Sequence, residues 1–142
     1  MSYKTSYKWN KESGEAIAKI EDTDGNIFIG IAKCHPDDAA HKSEYLGTEI
    51  AEIRARMNMI RHIRDTEIKP ALKALKHVQA NMETNKQYNP RSYEARTVRR
   101  QIKIKEADLK AIKELIESYK DYIKNISAYK FQEAMDKSPL YF

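Results

Sequence analysis

Two different spacings of apolar residues divide the chain. Between residues 15 and 34 there are two segments in which every second residue is apolar, and a polar stretch separates them. This spacing is typical of β-strands. They are Ala16, Ala18 and Ile20 before the stretch, and Ile27, Ile29 and Ile31 after it. The intervening Thr23-Asp24-Gly25-Asn26 has the composition of a hairpin turn. Because a lone hairpin is marginal in water, the preceding SYKWN predicts a third strand and a β-meander over about residues 5–34.

From about residue 43 the apolar spacing changes to steps of three and four, which indicates amphipathic helix. The positions are Ile50, Ile53, Met57 and Ile60, followed by Leu72, Leu75, Gln79 and Met82. Pro70 lies between the two groups and has no amide hydrogen to offer Thr66, so we expect a kink or break near Lys69. The pattern therefore predicts a kinked helix over about residues 43–86.

A second long helix is predicted over about residues 89–128, because a heptad seam runs along it. Its positions are Val98, Ile102, Lys105, Leu109, Ile112, Ile116, Tyr119, Ile123 and Ile126. Asn89 is a suitable N-cap and Pro90 fits the first helical position. Residues 129–142 form a C-terminal tail without a clear pattern.

These elements predict an α+β fold in one domain: a small N-terminal antiparallel sheet followed by a long antiparallel two-helix hairpin. About 35 residues of helix extend roughly 50 Å, which is more than a small sheet can cover. The uncovered apolar stripe predicts a homo-oligomer, a dimer or higher.

Composition narrows the functional classes. The 142 residues carry a net charge of +5, a mild bias toward anionic partners that does not match a nucleic-acid packaging protein. A single cysteine excludes an internal disulfide framework and favours the reducing cytoplasm. Neither a signal peptide nor a stretch apolar enough for a membrane span is visible, so no membrane partner is expected.

The stretch IAKCHPDDAAHKSE at residues 31–44 carries several residue types that bind metals or catalyse reactions. They are Cys34, His35, Asp37, Asp38 and His41. No zinc-ligand spacing is present, so a structural corner between a strand and a helix is favoured over a metal site. Cys34 and His35 would point to opposite faces of a strand, so they do not form a nucleophile–base pair. With no glycine-rich phosphate loop either, we expect no enzyme, no metal and no cofactor, and a metal-dependent hydrolase is the least favoured alternative.

The strongest chemical signal is the basic stretch KQYNPRSYEARTVRRQIKIK at residues 86–105. It contains Lys86, Arg91, Arg96, Arg99, Arg100, Lys103 and Lys105, against Glu94 alone. Arg96 and Arg100 are one helical turn apart, and arginine binds phosphate through two parallel hydrogen bonds. Tyr88 or Tyr93 offers a ring for a base, and the helix start at Asn89 favours anions. The stretch predicts a nucleotide-phosphate pocket; the alternative is a solvated basic surface with the two tyrosines in packing roles.

A second basic cluster, RARMNMIRHIR, contains Arg54, Arg56, Arg61 and Arg64. In an antiparallel hairpin it lies toward the end opposite Arg96 and Arg100. If both clusters, with Arg56 from this one, serve one ligand, the pocket must form between protomers.

The motifs IGIAKCHPDD, EIAEIRARM and YNPRSYE…RRQIK together resemble the phage Thoeris anti-defence proteins of the first type, over about residues 9–126. The resemblance implies a sponge that sequesters the cyclic ADP-ribose-type signal of a bacterial immune TIR enzyme without cleaving it, in the cytoplasm of the infected host. It also implies pockets between protomers, and cyclic oligonucleotides as further ligands of some members. The family's arginine pair matches Arg96 with Arg100 or Arg99, its asparagine matches Asn89, and Tyr88 or Tyr93 matches its aromatic residue.

The expected function is therefore sequestration of a cyclic nucleotide-derived messenger. The alternatives are a nucleic-acid-binding accessory protein that uses the basic second helix, and a structural oligomer without a ligand. Nucleic acid is the less favoured partner because the cations cluster at one end of the hairpin.

Overall fold

The computed structural model describes residues 3–33 and 44–134, with side chains as far as residue 125. Within these ranges the chain forms three strands, β1 (Lys4–Asn10), β2 (Glu15–Glu21) and β3 (Ile27–Lys33), and three α-helices, α1 (Glu44–Ile63), α2 (Lys69–Glu83) and α3 (Tyr93–Ala134). A small antiparallel sheet followed by long helices confirms the predicted α+β class. The corner containing Cys34, His35, Asp37, Asp38 and His41 lies outside the described residues. The predicted tail of residues 129–142 is wrong in its first part, because α3 continues to Ala134, and its remainder from residue 135 lies outside the described residues.

The strands form one antiparallel sheet in the order β1-β2-β3, which confirms the predicted meander. The β2–β3 turn is organised by Asp22, whose Oδ1 accepts the amides of Asp24 and Asn26, both at 2.9 Å. Gly25 has a φ of 86°, a left-handed conformation that glycine adopts without steric cost. The turn residues therefore act as their sequence predicts.

One face of the sheet packs against α1 and forms the core of the protein. Cross-strand pairs on this face join Ala16 to Ala32, Ala18 to Gly30, and Ile20 to Phe28. Leu46, Ile50, Ala51 and Ala55 of α1 complete the cluster, against which Trp9, Met59 and Ile123 also pack. Small residues at most of these positions allow the helix to approach the sheet closely.

The opposite face of the sheet is partly apolar and remains exposed. Ile27, Ile29 and Ile31 are 50%, 48% and 44% exposed, respectively. Their alternation correctly predicts a strand. The buried face of β3, however, is formed by the residues between these isoleucines, Phe28, Gly30 and Ala32. Gly30 has no side chain, so the backbone of α1 can pack directly against it.

The predicted kink before Pro70 takes the form of a π-helical turn over Arg64–Ile68, between α1 and α2. The amide of Lys69 donates to the carbonyl of Arg64, five residues earlier. Pro70 itself lies in the first turn of α2, where a missing amide hydrogen costs little. In an uninterrupted α-helix the ring of Pro70 would clash with the carbonyl of the residue four positions earlier. The wider π-helical turn separates α1 from α2 at this point and so accommodates the proline.

The chain contains two compact units, one comprising Met1–Met59 with Ile116–Phe142 and the other Ile60–Leu115. The first holds the sheet core. In the second, the buried apolar side chains among the described residues are Ile68, Leu72, Ala95 and Ile102. Along α3 the predicted seam is the covered side of the helix: Ile102 and Ile116 are buried, and the other seam residues up to Ile123 are partly buried.

The start of α3 differs from the prediction. The helix begins at Tyr93 rather than near Asn89, and Ser92 provides the cap, since its Oγ accepts the amide of Ala95 at 3.2 Å. Asn89 instead organises the preceding turn, where its Oδ1 accepts the amide of Arg91 at 2.9 Å. Asparagine and serine are both favourable N-cap residues, so composition does not choose between Asn89 and Ser92. The turn following Pro90 shifts the helix start by three residues, from the predicted Pro90 to Tyr93.

Candidate functional site

The loop between α2 and α3 consists of successive turns held by asparagine side chains. The Oδ1 of Asn85 accepts the amide of Gln87 at 2.9 Å, and the amide of Tyr88 donates to the carbonyl of Asn85 at 3.0 Å. Asn89 then repeats this arrangement with Arg91. Because each asparagine oxygen is used within its own turn, each amide nitrogen is left as a donor.

The first turn of α3 retains amide donors as well. The amide of Arg96 makes the first helical bond, to the carbonyl of Ser92 at 3.0 Å, and Ser92 Oγ takes the amide of Ala95. Among the described residues, the amides of Tyr93 and Glu94 have no acceptor. Two amides at the positive end of a 42-residue helix favour an anion.

A surface pocket of about 240 Å³ lies between this loop and the start of α3. It is lined by Met82, Asn85, Gln87, Tyr88, Asn89, Ser92 and Glu94. Two predicted site residues, Tyr88 and Asn89, therefore meet in one pocket. The sequence reading missed Asn85, Ser92 and Glu94; the run of turn-forming residues from 84 to 92 is the signal that could have indicated a structured loop there.

The four arginines of the basic stretch have different surroundings. Nη2 of Arg99 donates to the carbonyl of Pro90 at 2.7 Å, so this side chain braces the loop against the helix. Arg91, Arg96 and Arg100 are exposed, and within the described residues none of them has a carboxylate within ion-pair distance. Tyr93 is 68% exposed, and neither Tyr93 nor any of the four arginines lines the pocket. The exposed arginines near the pocket are thus open to an anionic ligand, but they lie outside the pocket lining.

Arg56 belongs to the first compact unit, where it forms an ion pair with Glu52. Its Nη2 lies 3.2 Å from Oε1 of Glu52, one helical turn earlier. Burial alone would lower the pKa of Arg56, but the charge of Glu52 and the hydroxyl of Tyr119 outweigh it, and the pKa is raised. The predicted ligand contact of Arg56 therefore competes with an existing ion pair.

Near Arg56 the first unit has a second pocket, of about 290 Å³, that is acidic and aromatic. Tyr7, Tyr45, Thr48, Glu49 and Glu52 line it. Tyr7 donates its hydroxyl to Glu52 at 3.0 Å, and Tyr122 donates to Glu49. Two carboxylates make this pocket unsuitable for phosphate.

The pKa values of Tyr7 and Tyr122 are raised above the ordinary value for tyrosine. Burial raises the pKa of Tyr7, and the hydrogen bond to Glu52 and its charge raise it further. For Tyr122 the hydrogen bond to Glu49 is the main reason that the pKa is raised. In both cases a phenolate would lose the donated hydrogen bond and face a carboxylate, which keeps the phenol protonated.

Two further kinds of site were sought among the described residues: a metal site and a membrane span. Within residues 3–33 and 44–134, no three His, Cys, Asp or Glu side chains are grouped so as to hold a metal ion. The helices of the described part of the chain all lack the length or the apolarity to cross a bilayer. No protein family model, curated protein or solved structure matches the chain.

Proposed function

We propose that the protein binds and sequesters a cyclic ADP-ribose-type second messenger without cleaving it, in the cytoplasm of a phage-infected bacterium. The observation that carries the proposal is the loop pocket at the start of α3. Tyr88 and Asn89 line this cavity. Arg96 and Arg100 are outside its lining, in the first two turns of α3, and are exposed without an acidic partner among the described residues. The sequence resemblance to phage Thoeris anti-defence proteins supports the same ligand class.

The phosphates of such a ligand are assigned to the basic first turns of α3. Arg96 and Arg100 lie on one helical face and each offers a planar pair of donors, which match the oxygens of a phosphate. The amides of Tyr93 and Glu94 add donors at the positive end of the helix. Arg99 acts indirectly, because its bond to the carbonyl of Pro90 holds the loop in place.

The nucleoside parts are assigned to the lining of the pocket. The ring of Tyr88 offers a stacking surface for a base, and the amide nitrogens of Asn85 and Asn89 can donate to base or phosphate acceptors. Glu94 also lines the pocket. A carboxylate repels phosphate but accepts hydrogen bonds from ribose hydroxyls, so we assign Glu94 to a ribose.

Sequestration requires slow release and no chemistry. No catalytic residue is assigned, since mass action alone lowers the free concentration of a bound signal. At about 240 Å³ the pocket is smaller than the roughly 300–1,000 Å³ typical of ligand sites. We therefore propose a homo-oligomer in which a second protomer covers the ligand.

Calorimetric titration with a cyclic ADP-ribose isomer, followed by heat release and chromatography of the ligand, tests the proposal. We expect binding with intact ligand recovered. Arg96→Ala with Arg100→Ala should weaken binding at least a hundredfold, because two charge-assisted contacts are lost. Lys110→Ala with Lys113→Ala removes two exposed cations from the same helix and should bind as wild type. A cleaved ligand would instead identify an enzyme.

The salt dependence of binding separates this proposal from a nucleic-acid-binding function. A ligand with two phosphates releases few counterions, so affinity should change little as salt rises. If duplex DNA is bound along α3, its binding constant should fall steeply as salt concentration rises, because many phosphate contacts release many counterions. Tight binding to DNA with a steep slope, together with no heat from the cyclic nucleotide, would replace the proposal with the nucleic-acid alternative.

A further inference from the structure

The polar groups that line the loop pocket include several donors and a single carboxylate. The side-chain oxygens of Asn85 and Asn89 accept amides of their own turns, which leaves their amide nitrogens to donate. Ser92 Oγ accepts the amide of Ala95, so its hydroxyl hydrogen is also left to donate. Of the described residues that line the pocket, Glu94 alone is charged, and an ionised carboxylate only accepts hydrogen bonds. The lining therefore offers one strong acceptor among several donors.

The carboxylate of Glu94 is available to a ligand. Its side chain is exposed in the first turn of α3, and within the described residues no lysine, arginine or histidine lies within ion-pair distance of it. Arg96 and Arg100, on the same helix, lie outside the pocket lining and form no ion pair with it. The negative charge that Glu94 brings to the pocket is thus uncompensated within the described part of the chain.

We propose that Glu94 makes the pocket select a ligand whose riboses carry free hydroxyls over one that carries a phosphate on a ribose. This inference rests on the proposed function and defines its ligand class more closely. A carboxylate accepts hydrogen bonds from ribose hydroxyls, and in dinucleotide-binding folds an acidic residue does so, whereas an arginine accommodates a ribose phosphate. The described lining contains the acidic residue and no arginine. The pocket therefore suits the cyclic product of a dinucleotide with unphosphorylated riboses.

The repulsion between Glu94 and a ribose phosphate sets the size of the preference. A phosphate monoester carries nearly two negative charges near neutral pH. At about 5 Å from the carboxylate, in a site open to water, Coulomb repulsion lowers the affinity about tenfold. The pyrophosphate of the cyclic ligand is assigned to Arg96 and Arg100, which attract it, so the preference concerns a phosphate on a ribose alone.

Calorimetric titration of the full chain with cyclic ADP-ribose and with its 2′-phosphate, near neutral pH and at equal ionic strength, measures the preference. We expect wild type to bind cyclic ADP-ribose about tenfold more tightly than the phosphorylated ligand. Glu94→Gln keeps the shape and one acceptor but removes the charge, so the preference should fall to about twofold or less. Glu106→Gln changes an exposed glutamate farther along α3, outside the pocket lining, and should keep the wild-type preference.

Salt provides a second measurement that needs no variant. Because salt screens exposed charges, the preference of wild type should shrink as ionic strength rises from about 0.02 M to about 0.5 M. Equal affinity of wild type for both ligands, or a preference that Glu94→Gln leaves unchanged, would overturn the selection by Glu94 and leave the proposed function standing. A preference independent of salt would identify steric exclusion and overturn it likewise. Binding of neither ligand would overturn the proposed function together with this inference.

Discussion

Gly30 of β3 lies so close to Ala51 of α1 that a Cβ added to the glycine would fall 1.9 Å from the Ala51 carbonyl oxygen. The same atom would lie 2.4 Å from the amide nitrogen of Ala55. Both neighbours are backbone atoms, so no side chain can turn aside to make room. The contact fixes which face of β3 meets the helix, and it explains why the isoleucines of that strand face outward.

Gly30→Ala should therefore destabilise the protein by about 3 kcal/mol or more, the upper range for overpacking a core. Urea unfolding measures the effect. Gly25→Ala is the matched comparison: its added Cβ meets nothing within 4 Å, but its φ of 86° costs an alanine about 1 kcal/mol. Equal losses of stability for the two variants would show that the strand does not approach the helix as described.

Asn58→Asp should lower the free energy of unfolding by about 1 to 3 kcal/mol and increase aggregation. Aspartate has the same shape but cannot donate to the carbonyl of Ile29, and it places a negative charge against that oxygen. Losing this cap also opens the edge of β3 to pairing between molecules. Denaturant titration and light scattering measure the two effects. Lys73→Ala, an exposed change on α2, should alter neither, and an Asn58→Asp protein as stable and as dispersed as wild type would contradict the edge-capping role.

Ser92→Ala should cost about 1 kcal/mol of stability, the usual loss when a helix cap is removed. Asn89→Ala should cost less, because its side chain holds a two-residue turn rather than the helix. Comparing the unfolding of the two variants locates the start of α3. A larger loss for Asn89→Ala would favour the helix start at residue 89 that the sequence suggests.

Tyr7 and Tyr122 should make the protein sensitive to alkaline pH. Their folded-state pKa values lie above the ordinary value near 10, so their contribution to stability is complete below that pH and is lost as pH rises through the raised values. The free energy of unfolding of wild type should thus fall more steeply above about pH 10 than that of the Tyr7→Phe, Tyr122→Phe double variant. Urea titrations across this range, with phenolate absorbance followed in parallel, make the comparison. Identical slopes would show that the carboxylate hydrogen bonds do not form.

Part of the loop pocket could be anticipated from residue types alone, since Tyr88 and Asn89 are predicted site residues and both line it. Arg96 and Arg100 are exposed on the following turns but do not line the pocket, so their contact with a ligand stays a prediction. The bond from Arg99 to Pro90 could not be anticipated, because it depends on the path of the loop. Glu52 and Arg56 are four residues apart, a spacing that allows an ion pair on a helix and is visible in the sequence. The sequence does not show which of the nearby arginines forms that pair, because several arginines are close to few carboxylates there.

The sequence by itself determined the elements: the alternation of the strands, the Asp22–Asn26 turn, the interruption at Pro70 and the covered seam of α3. Each of these depends on residues a few positions apart, which interact in any compact arrangement. Only the tertiary structure decided which face of β3 is buried. Both faces of that strand are apolar, so periodicity cannot choose between them, and the choice falls to steric fit, since only the face with Gly30 admits the backbone of α1.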